Sequence, residues 1–468
     1  MRTLRCLLVC VLGALVLVPS VAAAAEPPAG QQPDVVVILT DDQRVEAYSR
    51  RVMPVVARQI VAKGTSFSNA FVSNPLCCPS RASILTGQYS HTTNVYANGG
   101  QFGGFPWFTD TSTIATWLDD AGYRTGLVGK YLNQYKGPYV PPGWDRWVAF
   151  QKHGYYDYSL VVDGTLTAFG TTEAEYATDV LSSEAEAFVR DTPAEDPLFL
   201  YFAPYAPHEP ATPAPRHQTL FSGTQPWRPP SYNEGKIGDK PEHIRTLSRL
   251  LGERRASLDA LRIDQLRSLR AVDEGVERIV SALRETGRLK NTVLVFLSDN
   301  GYLWGEHRWD RKVVPYEESI RVPMAMRYDP ITGGVARVDD RIVMNIDVAP
   351  TIADLVGVPA PGVEGLSAAA LLGGGPTAWR SDFLLEHDAF GNTNSVVPAY
   401  CGVRNEDYVY VEYLTGEMEL YDLAADPFQL RNVAGRGAYA SIRAELDGRL
   451  EVLCDPPPPA FRLPEVEP

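Results

Sequence analysis

Val35-Val36-Val37-Ile38-Leu39-Thr40, closed by Asp41-Asp42, is the stretch on which the fold turns. An unbroken run of apolar, mostly β-branched residues reads as a strand buried on both faces, as in a parallel sheet with helices above and below. Leu198-Phe199-Leu200-Tyr201-Phe202 and Val293-Leu294-Val295-Phe296-Leu297 have the same character, and the latter runs into Ser298-Asp299-Asn300-Gly301. Helical spacing lies between them. Ile114, Trp117, Leu118 and Ala121 recur at three and four residues after Ser112, with Gly122 as a stop, and a longer series runs from Leu258 to Leu283. This alternation predicts an α/β fold with a large, mostly parallel sheet covered by helices on both faces. Beyond Leu355 the texture changes. Tyr408 to Tyr413 and Glu419 to Leu423 predict short antiparallel strands in a smaller α+β subdomain, followed by an extended tail at Cys454-Asp455-Pro456-Pro457-Pro458-Pro459. The proline-rich stretch from Pro204 to Pro241 has little periodicity and reads as a long functional loop.

The chain has 468 residues, 45% hydrophobic and 21% charged, a composition that suits a globular protein with ample core. Arg2 and Arg5, an apolar run from Leu7 to Val18, and the small residues Val21 to Ala25 describe a secretory signal peptide over 1–25. Its removal predicts a secreted or otherwise exported protein with no membrane association. The net charge of −14, more negative once Arg2 and Arg5 are lost, argues against a nucleic-acid partner. An anionic substrate would need a locally basic pocket. Of the six cysteines, Cys6 and Cys10 lie in the signal segment, Cys77 and Cys78 are adjacent, and Cys401 and Cys454 stand apart. In an oxidising compartment the last two either form a disulfide or remain free buried thiols, and export favours the bridge.

In open α/β sheets the site lies outside the carboxyl ends of the strands. Two of the predicted strands deliver acids there, Asp41-Asp42 and Asp299-Asn300. Three carboxylates and an amide are hard oxygen ligands, suited to calcium or magnesium rather than zinc. Singly, each pair reads as solvated turn residues; together they suggest a metal site. Cys77-Cys78-Pro79-Ser80-Arg81 is the second signal. Proline is tolerated in a first turn, so a helix starts there, and helix starts favour anions. Arg81 adds a permanently charged fork for a tetrahedral oxyanion.

The pattern Cys-x-Pro-Ser-Arg resembles the signature of type I sulfatases of the alkaline-phosphatase superfamily, whose first cysteine becomes formylglycine. The resemblance extends along the mature length through Asp41-Asp42, Gly129-Lys130, Pro207-His208, Asp299-Asn300-Gly301 and Lys312. Leu76 to Gly87, Gly129-Lys130-Tyr131-Leu132-Asn133 and Pro142-Gly143-Trp144-Asp145 are similar to the N-acetylglucosamine-6-sulfatase branch. With the change of texture after Leu355, the expected division is a catalytic domain over 26–375 and a C-terminal subdomain over 376–468. The resemblance implies that Asp41, Asp42, Asp299, Asn300 and the formylglycine from Cys77 hold one calcium ion, with Arg81, Lys130, His208 and Lys312 around the sulfate and leaving oxygen. The partners would be a small sulfate ester or sulfated saccharide, and a formylglycine-generating enzyme for maturation.

The chemistry agrees with those roles. A sulfate monoester needs charge neutralisation and a protonated leaving group, for which calcium, Arg81 and Lys130, then His208 and Lys312, are available. A hydrated aldehyde has two hydroxyls, one to attack sulfur and one to lose a proton as sulfate departs. The chain departs from many arylsulfatases in one respect. They carry a histidine two or three residues beyond the lysine matched by Lys130, often assigned as the base for sulfate release, where this chain has Leu132 and Asn133. The base is therefore unassigned, and Asn133 is a candidate contact to sulfate or sugar. His307 is either a loop residue or a ligand or substrate contact, and His91 and His153 carry weaker signals. The expected activity is a sulfatase acting on a sulfated sugar and on aryl sulfates. The alternatives are a phosphoester or phosphonate ester hydrolase, and a non-catalytic sulfate- or glycan-binding protein with Cys77 unmodified.

Overall fold

Val35, Val37 and Leu39 enter one hydrophobic core, while Val36 and Ile38 enter another on the opposite side. Successive side chains of a strand point to opposite faces, so this division makes Asp34–Thr40 the wall between two cores. Burial of each such aliphatic side chain contributes about 1.5–3 kcal/mol. The computed structural model describes residues 32–388 and 396–462; the signal segment at 1–25 lies outside them, as does the last part of the tail.

In chain order the first eight strands are β1 (Asp34–Thr40), β2 (Thr65–Phe71), β3 (Arg124–Gly129), β4 (Arg146–Lys152), β5 (Ser159–Val162), β6 (Thr165–Ala168), β7 (Leu198–Ala203) and β8 (Thr292–Ser298). Then come β9 (Leu303–Trp304), β10 (Asp310–Arg311), β11 (Met324–Arg327) and β12 (Arg337–Met344). Ten of these form one sheet in the order β12-β2-β11-β8-β1-β7-β3-β4-β5-β6. Its centre, β8-β1-β7-β3-β4, is wholly parallel, with Thr40 beside Ser298 and Gly129 beside Ala203. The three strands expected from apolar runs are adjacent there. Antiparallel pairing is confined to β11 and to β5 and β6.

On one face lie the helices Cys77–Thr86, Ile114–Asp120 and Val348–Val356; on the other, Ala177–Asp191 and Gly252–Glu285. Ile114–Asp120 is capped by Thr113, whose hydroxyl accepts the N–H of Thr116, one residue later than Ser112 suggested. The helix Cys77–Thr86 is buried along its whole length and ends at Gly87, whose φ of 70° places it in the left-handed region. A Cβ there would stand 2.9 Å from Val363, so glycine is required twice over.

A separate antiparallel sheet follows, β13 (Asp382–His387), β14 (Tyr400–Asn405), β15 (Tyr408–Tyr413) and β16 (Met418–Asp422), in sequential order. Phe383, Leu385, Val409 and Val411 pack with Phe71, Ile342 and Met344 of the large sheet. Leu384, Val403 and Tyr410 pack with Leu446 and Leu450 of the helix Ala440–Leu453. Cys401 and Cys454 are joined by a disulfide across 53 residues, with a Cα–Cα distance of 6.4 Å. The tail is not wholly extended as expected: Pro459–Arg462 forms a helical turn, which a proline in first position accommodates.

His91 fastens the seam between the two sheets. Its Nδ1 lies 3.2 Å from Glu386 of β13 and its Nε2 3.3 Å from Glu364. Burial disfavours the imidazolium, but the two carboxylates outweigh it and raise its pKa to about 10 from an ordinary 6.5. A group raised on folding stabilises fully below its unfolded value and loses that contribution as pH climbs through its folded value. Replacement of His91 by Gln should therefore lower stability most below pH 6.5 and least above pH 10, as read from denaturant midpoints of the two proteins across that range.

Candidate active site

The carboxyl ends of the central parallel strands converge on one buried centre. Leaving β1, Asp41 is fully buried and Asp42 is 3% exposed. Asp42 has a φ of 68°, a left-handed conformation that aspartate tolerates better than most residues. Its N–H donates to Oδ1 of Asp299 at 3.1 Å, and the N–H of Gln43 donates to the Ser298 hydroxyl at 2.9 Å, so the β1 and β8 ends brace each other. Asn300 donates from Nδ2 to Oδ1 of Asp42 at 2.7 Å.

From β3, Lys130 is buried and reaches Oδ2 of Asp41 at 2.5 Å. Gly129 makes this approach possible: its φ is 130°, and a Cβ would fall 2.0 Å from the Ala203 carbonyl oxygen. The helix Cys77–Thr86 points its first turn at the same centre. The Cys77 thiol lies 3.4 Å from Oδ1 of Asp41, and Arg81, one turn on, donates from Nε to Asp299 at 2.7 Å and from Nη1 to the Lys130 carbonyl at 2.7 Å. Lys312 donates to Asp42 and, at 2.7 Å, to the Cys77 sulfur.

His208 comes from the loop after β7. Its Nδ1 donates to the Glu209 carbonyl at 2.7 Å, leaving Nε2 3.7 Å from Oδ2 of Asp42. The ring stacks on Tyr205 with centroids 4.7 Å apart, and Tyr155 donates to its backbone carbonyl at 2.8 Å. Neither Tyr205 nor Tyr155 belongs to a motif in the sequence. The aromatic residue three before His208 was the available signal for Tyr205; Tyr155 is brought in by packing alone.

Burial opposes ionisation throughout, and the cations decide the outcome. Lys130, His208 and Arg81 hold Asp41 well below the usual carboxylate range despite its burial. Asp42 is lowered too, by Lys312 and His208 against the same penalty. Asp299 is raised, because burial and the charge of Asp41 exceed the help from Arg81. Lys130 and Lys312 stay firmly charged through their acid partners, although burial pulls them down. Burial, with Asp41, pushes the Cys77 thiol up to about 12.

The donor set suits a hard divalent cation. One atom each of Asp41, Asp42, Cys77 and His208 lie within 4.8 Å of one another, and Oδ1 of Asn300 is buried with no hydrogen-bond partner. Asp299 contributes less directly, since both its oxygens already accept hydrogen bonds. His307 stands apart from this centre. It is fully buried, with Nδ1 2.8 Å from Glu234 and its ring stacked 4.1 Å from Tyr316. Leu132 is 1% exposed in the core, while Asn133 lies beside Cys78 with its Oδ1 buried and unpartnered.

The sulfatase family pattern matches residues 33–358, and the pattern of the N-sulphoglucosamine sulphohydrolase C-terminal region matches 305–455. The chain is 31% identical to an N-acetylglucosamine-6-sulfatase of Homo sapiens, over 98% of this chain and 90% of that protein. It is 37% identical to an extracellular sulfatase Sulf-1 homologue of Caenorhabditis elegans, over 70% of this chain, but spans only about half, 47%, of that relative. A solved structure of a protein in complex with its substrate D-glucosamine-2-N,6-O-disulfate superposes with a TM-score of 0.79 at 27% identity, covering 92% of this chain and 98% of the other. The acid-tipped strands, the Cys77 helix start and these matches over most of its length agree that the chain belongs to the sulfatase family.

Proposed function

We propose that the protein is an exported sulfatase that hydrolyses sulfate monoesters of sugars, with a 6-O-sulfated N-acetylglucosamine unit as the substrate type and aryl sulfates as surrogates. The observation that carries the reading is the convergence of Cys77, Arg81, Lys130 and Lys312 on three buried carboxylates. The names of the human and nematode relatives support the substrate class and the extracellular location. The signal segment at 1–25, the catalytic domain to residue 375 and the C-terminal subdomain from 376 belong to the same proposal.

Cys77 is converted to formylglycine by a formylglycine-generating enzyme in this reading, because a cysteine has no second hydroxyl with which to expel sulfate and burial pushes the unmodified thiol up to about 12. Residue 77 as formylglycine supplies, once hydrated, one hydroxyl to attack sulfur and a second that loses its proton as sulfate leaves. Asp41, Asp42, residue 77 and Asn300, with Asp299 less directly, would hold a calcium ion, which would supply charge for polarising the sulfate oxygens. Arg81 keeps Nη2 buried and without a hydrogen-bond partner, a donor suited to a sulfate oxygen. Lys130 and Lys312 neutralise charge on the other oxygens. With Nδ1 of His208 committed to Glu209, Nε2 is the nitrogen that exchanges a proton with the leaving oxygen.

Three measurements test this reading. Cys77→Ala should abolish turnover of a sulfated glucosamine panel while Cys78→Ala, whose side chain packs into the core, retains most of it; a matched phosphate panel hydrolysed in strong preference would overturn the assignment. His208→Ala should slow sugar sulfates by about 10²–10⁴-fold and nitrophenyl sulfate far less, because nitrophenolate leaves without protonation. Calcium added to metal-free protein should raise its melting temperature, by the equivalent of about 2.7 kcal/mol at a hundredfold excess over Kd. Asp42→Asn should remove that shift.

A further inference from the structure

Of five neighbouring parallel strands, four deliver side chains to the site. β8 delivers Asp299 and Asn300, β1 delivers Asp41 and Asp42, β7 leads to His208, and β3 delivers Lys130. The fifth, β4, ends at Lys152 and delivers His153 as its next residue. This ring stands 5.6 Å from Tyr205, which itself stacks on His208 and lies 5.8 Å from the Lys130 ammonium. Phe150 flanks it at 5.5 Å. Its Nε2 is buried without a hydrogen-bond partner. The charged groups that act on it are Lys130, Asp41, His208 and Arg81, all of them members of the site.

The position two residues beyond Lys130 is Leu132, sealed in the core, and the next is Asn133, whose amide cannot take a proton. Neither position in the loop after β3 offers a base for sulfate release. The adjacent strand end carries an imidazole with a free ring nitrogen.

We propose that His153 is the proton acceptor for sulfate release, a reading that rests on residue 77 being formylglycine. In that step Nε2 of His153 takes the proton from the remaining hydroxyl on Cβ of residue 77. The O–H electron pair becomes the second bond of the carbonyl, and the Cβ–O bond to the sulfate breaks with its pair on the departing sulfate. The aldehyde is restored, and the imidazolium returns its proton to solvent. Burial with nearby Lys130 keeps the resting ring neutral, with a pKa of about 3, and the negative charge of the bound sulfate raises its affinity for the proton.

The test follows nitrophenyl sulfate turnover in the calcium-loaded wild type and in His153→Ala and His153→Gln, with mass spectrometry of the residue 77 peptide quenched during turnover. Both variants are expected to release one nitrophenol per active site rapidly and then to slow by about 10²-fold or more, with the peptide carrying an added SO3 that the wild type does not accumulate. Undiminished turnover in either variant overturns the proposal. So does slowed turnover with no burst and no sulfated peptide, which would mark a binding or structural role. Recovery of the rate in His153→Gln alone would show that a hydrogen bond suffices, and overturns it equally. An unmodified thiol in active wild-type protein is a separate result: it refutes the formylglycine reading itself and His153 with it.

Discussion

Three buried carboxylates beside one another constitute the constraint on which this structure depends. Asp41, Asp42 and Asp299 are each at most 3% exposed, and their mutual repulsion in a medium of low dielectric would push them toward the neutral form. Arg81, Lys130 and Lys312 counter them from three separate elements, a helix, a strand end and a loop. Each cation therefore has a structural task before any catalytic one. This explains why the helix Cys77–Thr86 is held so deeply: Arg81 must be 1% exposed to meet Asp299, so the first turn that carries Cys77 is drawn in with it.

The same economy governs the periphery. There too a buried carboxylate is met by donors, one of them from a distant part of the chain. Glu419 of β16 is fully buried and accepts from Tyr316, Tyr413 and Tyr421, and Tyr316 in turn stacks on His307, which meets Glu234 from the long loop. The small sheet is thereby tied to the segment that bears Lys312 through a polar chain as well as through packing. His307, read from sequence as a candidate ligand, is part of that tie.

Legibility in the sequence followed burial. β1, β7 and β8 were evident because a strand covered on both faces leaves an unbroken apolar run, and the acids at their ends stand out against it. β11 was not: Met324–Arg327 has four residues, too short for periodicity to be distinguished from chance. Lys130, His208 and Lys312 could be singled out only through resemblance, since a lone lysine or histidine has no spacing pattern to mark it. His153 and Tyr205 carry even less signal, because their significance lies in which rings surround them, and only the packed structure supplies that.

The bracing of β1 by β8 has a consequence for how the molecule comes into being. The backbone of Asp42 and the side chain of Asp299 meet across 257 positions of chain, and pairing of this separation is slow because a long loop must close before any contact rewards it. During synthesis the early strand ends and the Cys77 helix emerge well before β8 exists. Until residues 292–300 arrive, β1 lacks one of its two neighbours and Arg81 lacks its principal acid. The nascent chain thus passes through a period in which its most reactive elements are complete in sequence but not yet enclosed, and closure of the sheet by its eighth strand ends that period.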